Sequence, residues 1–154
     1  MIGRKLIVVV PDTVYCKAGL VSQPLGRRVA QVAHAVSKVR VNELAHVVRQ
    51  LVGCVSKLEF DQQTMWARIK KVISILTATF APITTIVLSC RDFNELLHII
   101  RLLDSSGISY ECFLDTDQPD YGSLDEQVIT ALCTYPVTDE QVEGITDYLP
   151  LLSR

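Results

Sequence analysis

The chain has 154 residues, a length typical of one domain, and we expect a single domain over residues 1–154. Hydrophobic residues make up 49% of the chain and charged residues 21%, which excludes an intrinsically disordered protein. Residues 1–80 carry 12 Lys and Arg against 4 Asp and Glu, whereas residues 81–154 carry 3 against 13. This asymmetry indicates either a basic surface that faces nucleic acid or two halves of one fold that attract each other.

Hydrophobic patterning predicts alternating strands and helices. β-branched apolar runs predict strands at residues 5–10, 83–90, 108–114 and 128–134. A loop is expected at residues 11–26. Helical spacing predicts helices from Arg27 to near Gly53, from Asp61 towards Pro82, from Asp92 to Gly107 and from Thr138 to Pro150. A break of the first helix near Asn42 is the alternative. The core stripe of the first helix is expected at Val29, Val32, Val36 and Val39. The order β-α-α-β-α-β-β-α predicts a three-layer α/β/α fold with a mixed four-stranded sheet.

Two further patterns bear on location. Residues 72–90 carry no charge, but they include Pro82 and six Ser or Thr. A helix end followed by a buried strand explains this segment better than a membrane span. The five cysteines are odd in number, widely spaced and without a Cys-x-x-Cys pair, so neither a disulfide framework nor a metal site is expected. The cysteines favour a reduced, cytoplasmic location.

One face of the first helix is polar. Arg27, Gln31 and His34 follow one another at helical spacing, and Lys38 lies a further turn along. Arg27 and Arg28 also stand at the start of this helix, where backbone N–H groups and guanidinium donors suit a phosphate. The same stripe is also what an ordinary solvated face would show, and both interpretations stay open at this point.

The residues of this helix carry a family resemblance. Residues 6–10 read Leu-Ile-Val-Val-Val, and residues 26–35 read Gly-Arg-Arg-Val-Ala-Gln-Val-Ala-His-Ala. This pattern resembles the type 2 peptidyl-tRNA hydrolase family, in which a Gly-Lys segment leads into an Ala-Gln-x-x-His-Ala helix. The order of elements from residue 84 to the Tyr135-Pro136 pair agrees as well.

The resemblance implies a function. It implies hydrolysis of the ester that joins a peptide to the 3′ ribose of tRNA, without a metal or organic cofactor. tRNA or another RNA is then the expected partner, and no membrane is involved. Family members are often dimeric, which makes a second copy of the chain a candidate partner.

The resemblance also implies site residues. Arg27 occupies the place of the family's active-site lysine, while Gln31 and Asp115 match as they stand. We expect Arg27 to hold a phosphate or an oxyanion, Asp115 to orient or deprotonate water, and Gln31 to position the substrate. The expected substrate-binding residues are Arg28, His34, Lys38 and Thr116.

The loop after Asp115 departs from the family pattern. Residues 116–126 read Thr-Asp-Gln-Pro-Asp-Tyr-Gly-Ser-Leu-Asp-Glu, where the family has a threonine-containing loop. Carboxylates there are closer to the divergent peptidyl-tRNA hydrolase domain-containing branch. Two hypotheses follow: a peptidyl-tRNA hydrolase with reduced activity, or an inactive member of the fold that binds RNA or protein through the helix face between residues 27 and 38.

Overall fold

The computed structural model describes residues 4–16, 19–55, 62–79, 83–115 and 128–152. Its strands are β1 (Lys5–Pro11), β2 (Thr13–Cys16), β3 (Gly19–Ser22), β4 (Thr84–Cys90), β5 (Tyr110–Asp115) and β6 (Val128–Thr134). Its helices are α1 (Leu25–Val55), α2 (Gln62–Thr79), α3 (Phe93–Ser105) and α4 (Asp139–Val142). Among the helices of the described residues, none is both long and apolar enough to cross a membrane.

The chain forms two compact units. Residues 1–39 and 83–154 form the sheet unit, which contains all the strands named above. Residues 40–82 form the helical unit, which contains the second part of α1 and all of α2. The helical unit carries several exposed apolar side chains, among them Val41, Leu44, Val48, Trp66 and Ile73.

A four-stranded mixed sheet forms the centre of the sheet unit, as predicted. Its strand order is β4-β1-β6-β5. β1 pairs in parallel with β4 along its whole length, from Lys5 opposite Thr84 to Pro11 opposite Cys90. β6 is antiparallel to both of its neighbours. The parallel pairing of β1 with β4 requires a long crossover connection, and α1 and α2 lie within it. The antiparallel strands β5 and β6 are consecutive along the chain.

Hydrophobic layers cover both faces of this sheet. Successive residues of β1 point to opposite faces, so Leu6, Val8 and Val10 join one cluster while Ile7 and Val9 join the other. The first cluster is closed by Ala35 and Val39 of α1. The second is closed by α3, α4 and the residues that follow α4. The sheet unit is therefore a three-layer α/β/α structure, which confirms the predicted fold class.

The predicted loop at residues 11–26 contains a hairpin. β2 and β3 pair in antiparallel fashion from Thr13 opposite Ser22 to Cys16 opposite Gly19. Val14 and Cys16 are buried against Val128 of β6. Gly19, the first residue of β3, has a positive φ of 102°, which glycine adopts without strain. The hydrophobic pattern did not predict this hairpin, because its two strands have only four residues each and lie among turn-forming residues.

The predicted core stripe of α1 was wrong at Val29. Val29 is 54% exposed, while Gln31, Ala35 and Val39 are the buried residues on this part of the helix. α1 also begins at Leu25 rather than near Arg27, and it continues past Gly53 to Val55. Contacts with the sheet, and not the valine spacing alone, set which side of α1 is buried.

Of two other predicted boundaries, the division between α2 and β4 is confirmed and the end of the last helix was wrong. The uncharged segment at residues 72–90 divides as predicted, because α2 ends at Thr79 and β4 begins at Thr84. The last helix is shorter than predicted and ends at Val142. Its predicted capping contact is present, since the Thr138 backbone N–H donates to Gln141 Oε1 at 2.9 Å. Asp61, the predicted cap of α2, lies outside the described residues.

Candidate active site

The decisive contact of the site joins α1 to the end of β5. Gln31 Nε2 donates a hydrogen bond to Asp115 Oδ2 at 2.8 Å, across 84 positions of the sequence. Gln31 is 4% exposed, and Asp115 is half-buried at the last position of its strand. Gln31 thus fixes one oxygen of the Asp115 carboxylate, which lies at the end of β5.

The rest of the polar stripe of α1 also lies along β5. The ring of His34 stacks on Phe113 with a centroid distance of 5.0 Å and an interplanar angle of 9°. Lys38 Nζ donates to the Cys112 carbonyl at 2.9 Å and lies 3.2 Å from Glu111 Oε2. Because residues 111, 113 and 115 share one face of the strand, the helix follows β5 with one contact per turn.

Arg27 stands one helical turn before Gln31 on the same stripe. Side chains at positions i and i+4 of a helix have their Cβ atoms about 6 Å apart, so Arg27 is the cation nearest to Gln31 along the stripe. Its side chain is half-buried. The first turn of α1 contains no acidic residue, so the positive end of the helix dipole adds to the charge of the arginine. This end of α1 is suited to an anion.

Arg28 follows Arg27 in the first turn of α1. Its Nη1 forms an ion pair with Asp12 Oδ1, and its side chain is 15% exposed. Ser89 Oγ of β4 donates to the same oxygen at 2.6 Å. We call these three residues the Asp12 cluster. Sequence analysis missed Asp12 and Ser89; the signal that was present is a carboxylate directly after the buried first strand, where ligands and functional groups collect in α/β sheets.

Gln31 also has an unmatched atom. Its Oε1 is buried and has no hydrogen-bond partner among the described residues. A buried acceptor in this state costs about 1–3 kcal/mol. Thr130 Oγ1 is in the same state, so the hydrogen bond from Gln31 to Asp115 is the feature that marks this glutamine.

The β2–β3 hairpin packs against the β6 residue that pairs with Asp115. Val128 is the register partner of Asp115, and Val128 forms a small buried cluster with Val14, Cys16 and the half-buried Val21. The hairpin therefore supplies apolar side chains beside the end of β5. Thr116, expected to bind substrate, lies outside the described residues.

The other reactive side chains of the sheet unit contribute less to a site. Burial, with the Glu95, Asp12 and Asp92 carboxylates nearby, raises the pKa of the Cys90 thiol to about 12. Such a thiol stays protonated near neutral pH and is a poor nucleophile. Within the described residues, no group of three or more His, Cys, Asp or Glu side chains is arranged to hold a metal ion.

Comparison with known proteins identifies the family of the chain. The family model described as "Peptidyl-tRNA hydrolase PTH2" matches residues 5–152, nearly the whole chain. The chain belongs to this family. A search of curated proteins found no match. Membership in the peptidyl-tRNA hydrolase PTH2 family makes the chain a peptidyl-tRNA hydrolase-like protein, for which tRNA is the substrate that the family suggests.

Proposed function

We propose that this protein hydrolyses the ester between a peptide and the 3′ end of tRNA at the site formed by Arg27, Gln31 and Asp115. The observation that carries the proposal is the Gln31–Asp115 hydrogen bond of 2.8 Å. It joins the helix that bears the family's motif to a carboxylate at a strand end. Family membership over residues 5–152 supports the same substrate class.

The proposed reaction uses Asp115 as the general base. Gln31 holds Oδ2, and we assign Oδ1 to the attacking water. The carboxylate takes one proton while the water oxygen bonds to the ester carbonyl carbon. The bond from that carbon to the ribose 3′ oxygen then breaks, and the proton passes to this oxygen. The products are a peptide with a free carboxylate and a tRNA with a free 3′ hydroxyl.

Arg27 is assigned to the negative charge that develops on the carbonyl oxygen, or to a neighbouring phosphate of the tRNA. A guanidinium at the N-terminus of a helix adds its charge to that of the helix dipole, which favours an anion at this position. His34 and Lys38 lie further along the helix and already contact β5. We assign them to support of the helix–strand contact at the edge of the tRNA site.

The test is hydrolysis of an N-acetylated aminoacyl-tRNA under single-turnover conditions. We expect Asp115→Asn to lower the rate by roughly 10²–10⁴-fold, the usual contribution of a general base. Arg27→Ala should lower it by about 10²–10³-fold, and Arg27→Lys should retain activity, because lysine is the family residue. Glu143→Gln and Arg101→Ala are matched controls, since both residues are exposed and outside this site.

The same assay separates the two hypotheses from sequence. Hydrolysis that is unchanged in both Asp115→Asn and Arg27→Ala would remove these residues from the mechanism. Binding of tRNA that weakens with added salt, without any ester cleavage, would instead identify an inactive RNA-binding member of the fold. A cytoplasmic location and a homodimer stay predictions, to be checked by cell fractionation and by light scattering.

A further inference from the structure

Asp12, whose side chain is 50% exposed, is held at several points. The Asp12 backbone N–H donates to the Cys90 carbonyl at 2.8 Å, and the Asp12 carbonyl accepts from the Gln23 N–H at 2.8 Å. Gln23 is buried and its side chain donates to the Pro11 carbonyl at 2.9 Å. With Ser89 on its carboxylate, Asp12 is held by its backbone and its side chain, so it gives Arg28 a fixed partner.

A partner fixed at Arg28 bears on the orientation of α1. Successive residues of a helix point about 100° apart round the axis, so a guanidinium held at position 28 fixes the direction in which position 27 leaves the helix. Asp12 and Ser89 lie at the end of the β1–β4 pair, whereas Asp115 ends β5 at the other edge of the sheet. The start of α1 is therefore bound to both sides of the sheet, through Arg28 on one side and Gln31 on the other.

We propose that Asp12 is a positioning residue for the reaction: together with Ser89 it holds Arg28, and so fixes the rotation of α1 that presents Arg27 and Gln31 to Asp115. This inference rests on the proposed function of that site. It also gives Arg28 a role that differs from binding a tRNA phosphate, because a carboxylate already neutralises its guanidinium.

The test compares kcat and KM for Asp12→Asn. Asparagine keeps the shape and an acceptor oxygen but loses the charge that holds the guanidinium. We expect kcat to fall by about 10–100-fold, the effect of a small misplacement of reacting groups, while KM changes by less than about two-fold. Arg28→Ala should behave alike, Arg28→Lys should recover part of the loss, and the double variant Asp12→Asn/Arg28→Ala should be no worse than Arg28→Ala alone.

The matched control is the ion pair between Lys5 and Asp139. It lies at the other end of β1. Its lysine is 17% exposed against 15% for Arg28, and its aspartate is 78% exposed against 50% for Asp12. Asp139→Asn should leave kcat unchanged. If Asp139→Asn lowers kcat as much as Asp12→Asn does, the effect is a general loss of stability and the proposal is overturned.

Two further outcomes are decisive. If Asp12→Asn keeps the wild-type kcat and lowers KM, then Arg28 is a phosphate ligand that Asp12 restrains, and the positioning role is refuted. Amide hydrogen exchange of the α1 segment at residues 27–31 gives a readout that needs no activity: it should speed up in Asp12→Asn and not in Asp139→Asn. If the wild-type protein hydrolyses nothing, the proposed function fails, and the exchange result still decides whether Asp12 orients α1.

Discussion

Replacing Gln31 with leucine should separate stability from activity. Leucine has nearly the same volume, but it cannot donate to Asp115. Loss of a hydrogen bond to a charged group costs about 1.5–3 kcal/mol. Gln31 Oε1 is buried and has no hydrogen-bond partner among the described residues, so its removal stabilises the fold by about 1–3 kcal/mol. Burial of an apolar side chain at this 4% exposed position adds up to about 1.5–3 kcal/mol of stability.

Because these contributions nearly cancel or favour leucine, we expect the free energy of unfolding of Gln31→Leu to lie within about 1 kcal/mol of wild type or above it. Single-turnover hydrolysis should nevertheless fall by about 10–100-fold, because the carboxylate of Asp115 is no longer held. Urea denaturation followed by circular dichroism measures the first quantity, and release of free tRNA from N-acetylated aminoacyl-tRNA measures the second.

Thr130→Val is the matched control for this substitution. Thr130 is fully buried, and its hydroxyl has no hydrogen-bond partner among the described residues. Valine should therefore raise the free energy of unfolding by about 1 kcal/mol or more without changing hydrolysis. A loss of more than about 3 kcal/mol in Gln31→Leu would show that the glutamine is structural, and full hydrolysis by that variant would remove it from the site.

Further expected outcomes test other parts of the structure. Gln31→Glu places a second carboxylate beside Asp115, and the repulsion between them raises the pKa of this carboxyl pair. The stability of the variant relative to wild type should therefore be highest at low pH and fall as pH rises. Urea midpoints at about pH 5 and pH 8 should show this order. Gly107→Ala should lower the unfolding free energy by about 1 kcal/mol, because φ is +65° there. The Cys90 thiol, with a pKa of about 12, should resist iodoacetamide at pH 8 in the folded protein and react after denaturation. Burial, with a nearby carboxylate, raises the Tyr110 pKa to about 12; ultraviolet titration should show it protonated above its usual pKa of 10, and the stability it contributes should be lost between about pH 10 and pH 12.

The two explanations for the charge asymmetry can now be compared. Lys38 of the basic half lies 3.2 Å from Glu111 of the acidic half, and Lys5 pairs with Asp139. Attraction between the two halves therefore accounts for part of the asymmetry. The first turn of α1 contains no acidic residue, so its positive dipole end favours an anion, and the salt dependence of tRNA binding measures that contribution.

Local sequence was sufficient for most of the secondary structure. β-branched runs located β1, β4 and β6 to within one residue at each end, and the helix that begins after Asp92 was located because its polar cap and its glycine stop act through neighbours in the sequence. The motif from residue 26 to residue 35 also pointed to the family. These features depend on spacings of two to four residues, which the chain displays directly.

Tertiary structure decided the rest, because the relevant partners are far apart in sequence. Val29 was expected in the core and is exposed, whereas Gln31 of the same helix contacts Asp115 and Arg28 pairs with Asp12. Both contacts depend on which strand ends lie at the same edge of the sheet. Hydrophobic spacing along the sequence does not predict this strand order. The sequence by itself determined which elements form and which helix carries the polar stripe, whereas only the folded sheet determined which carboxylate each side of that helix would meet.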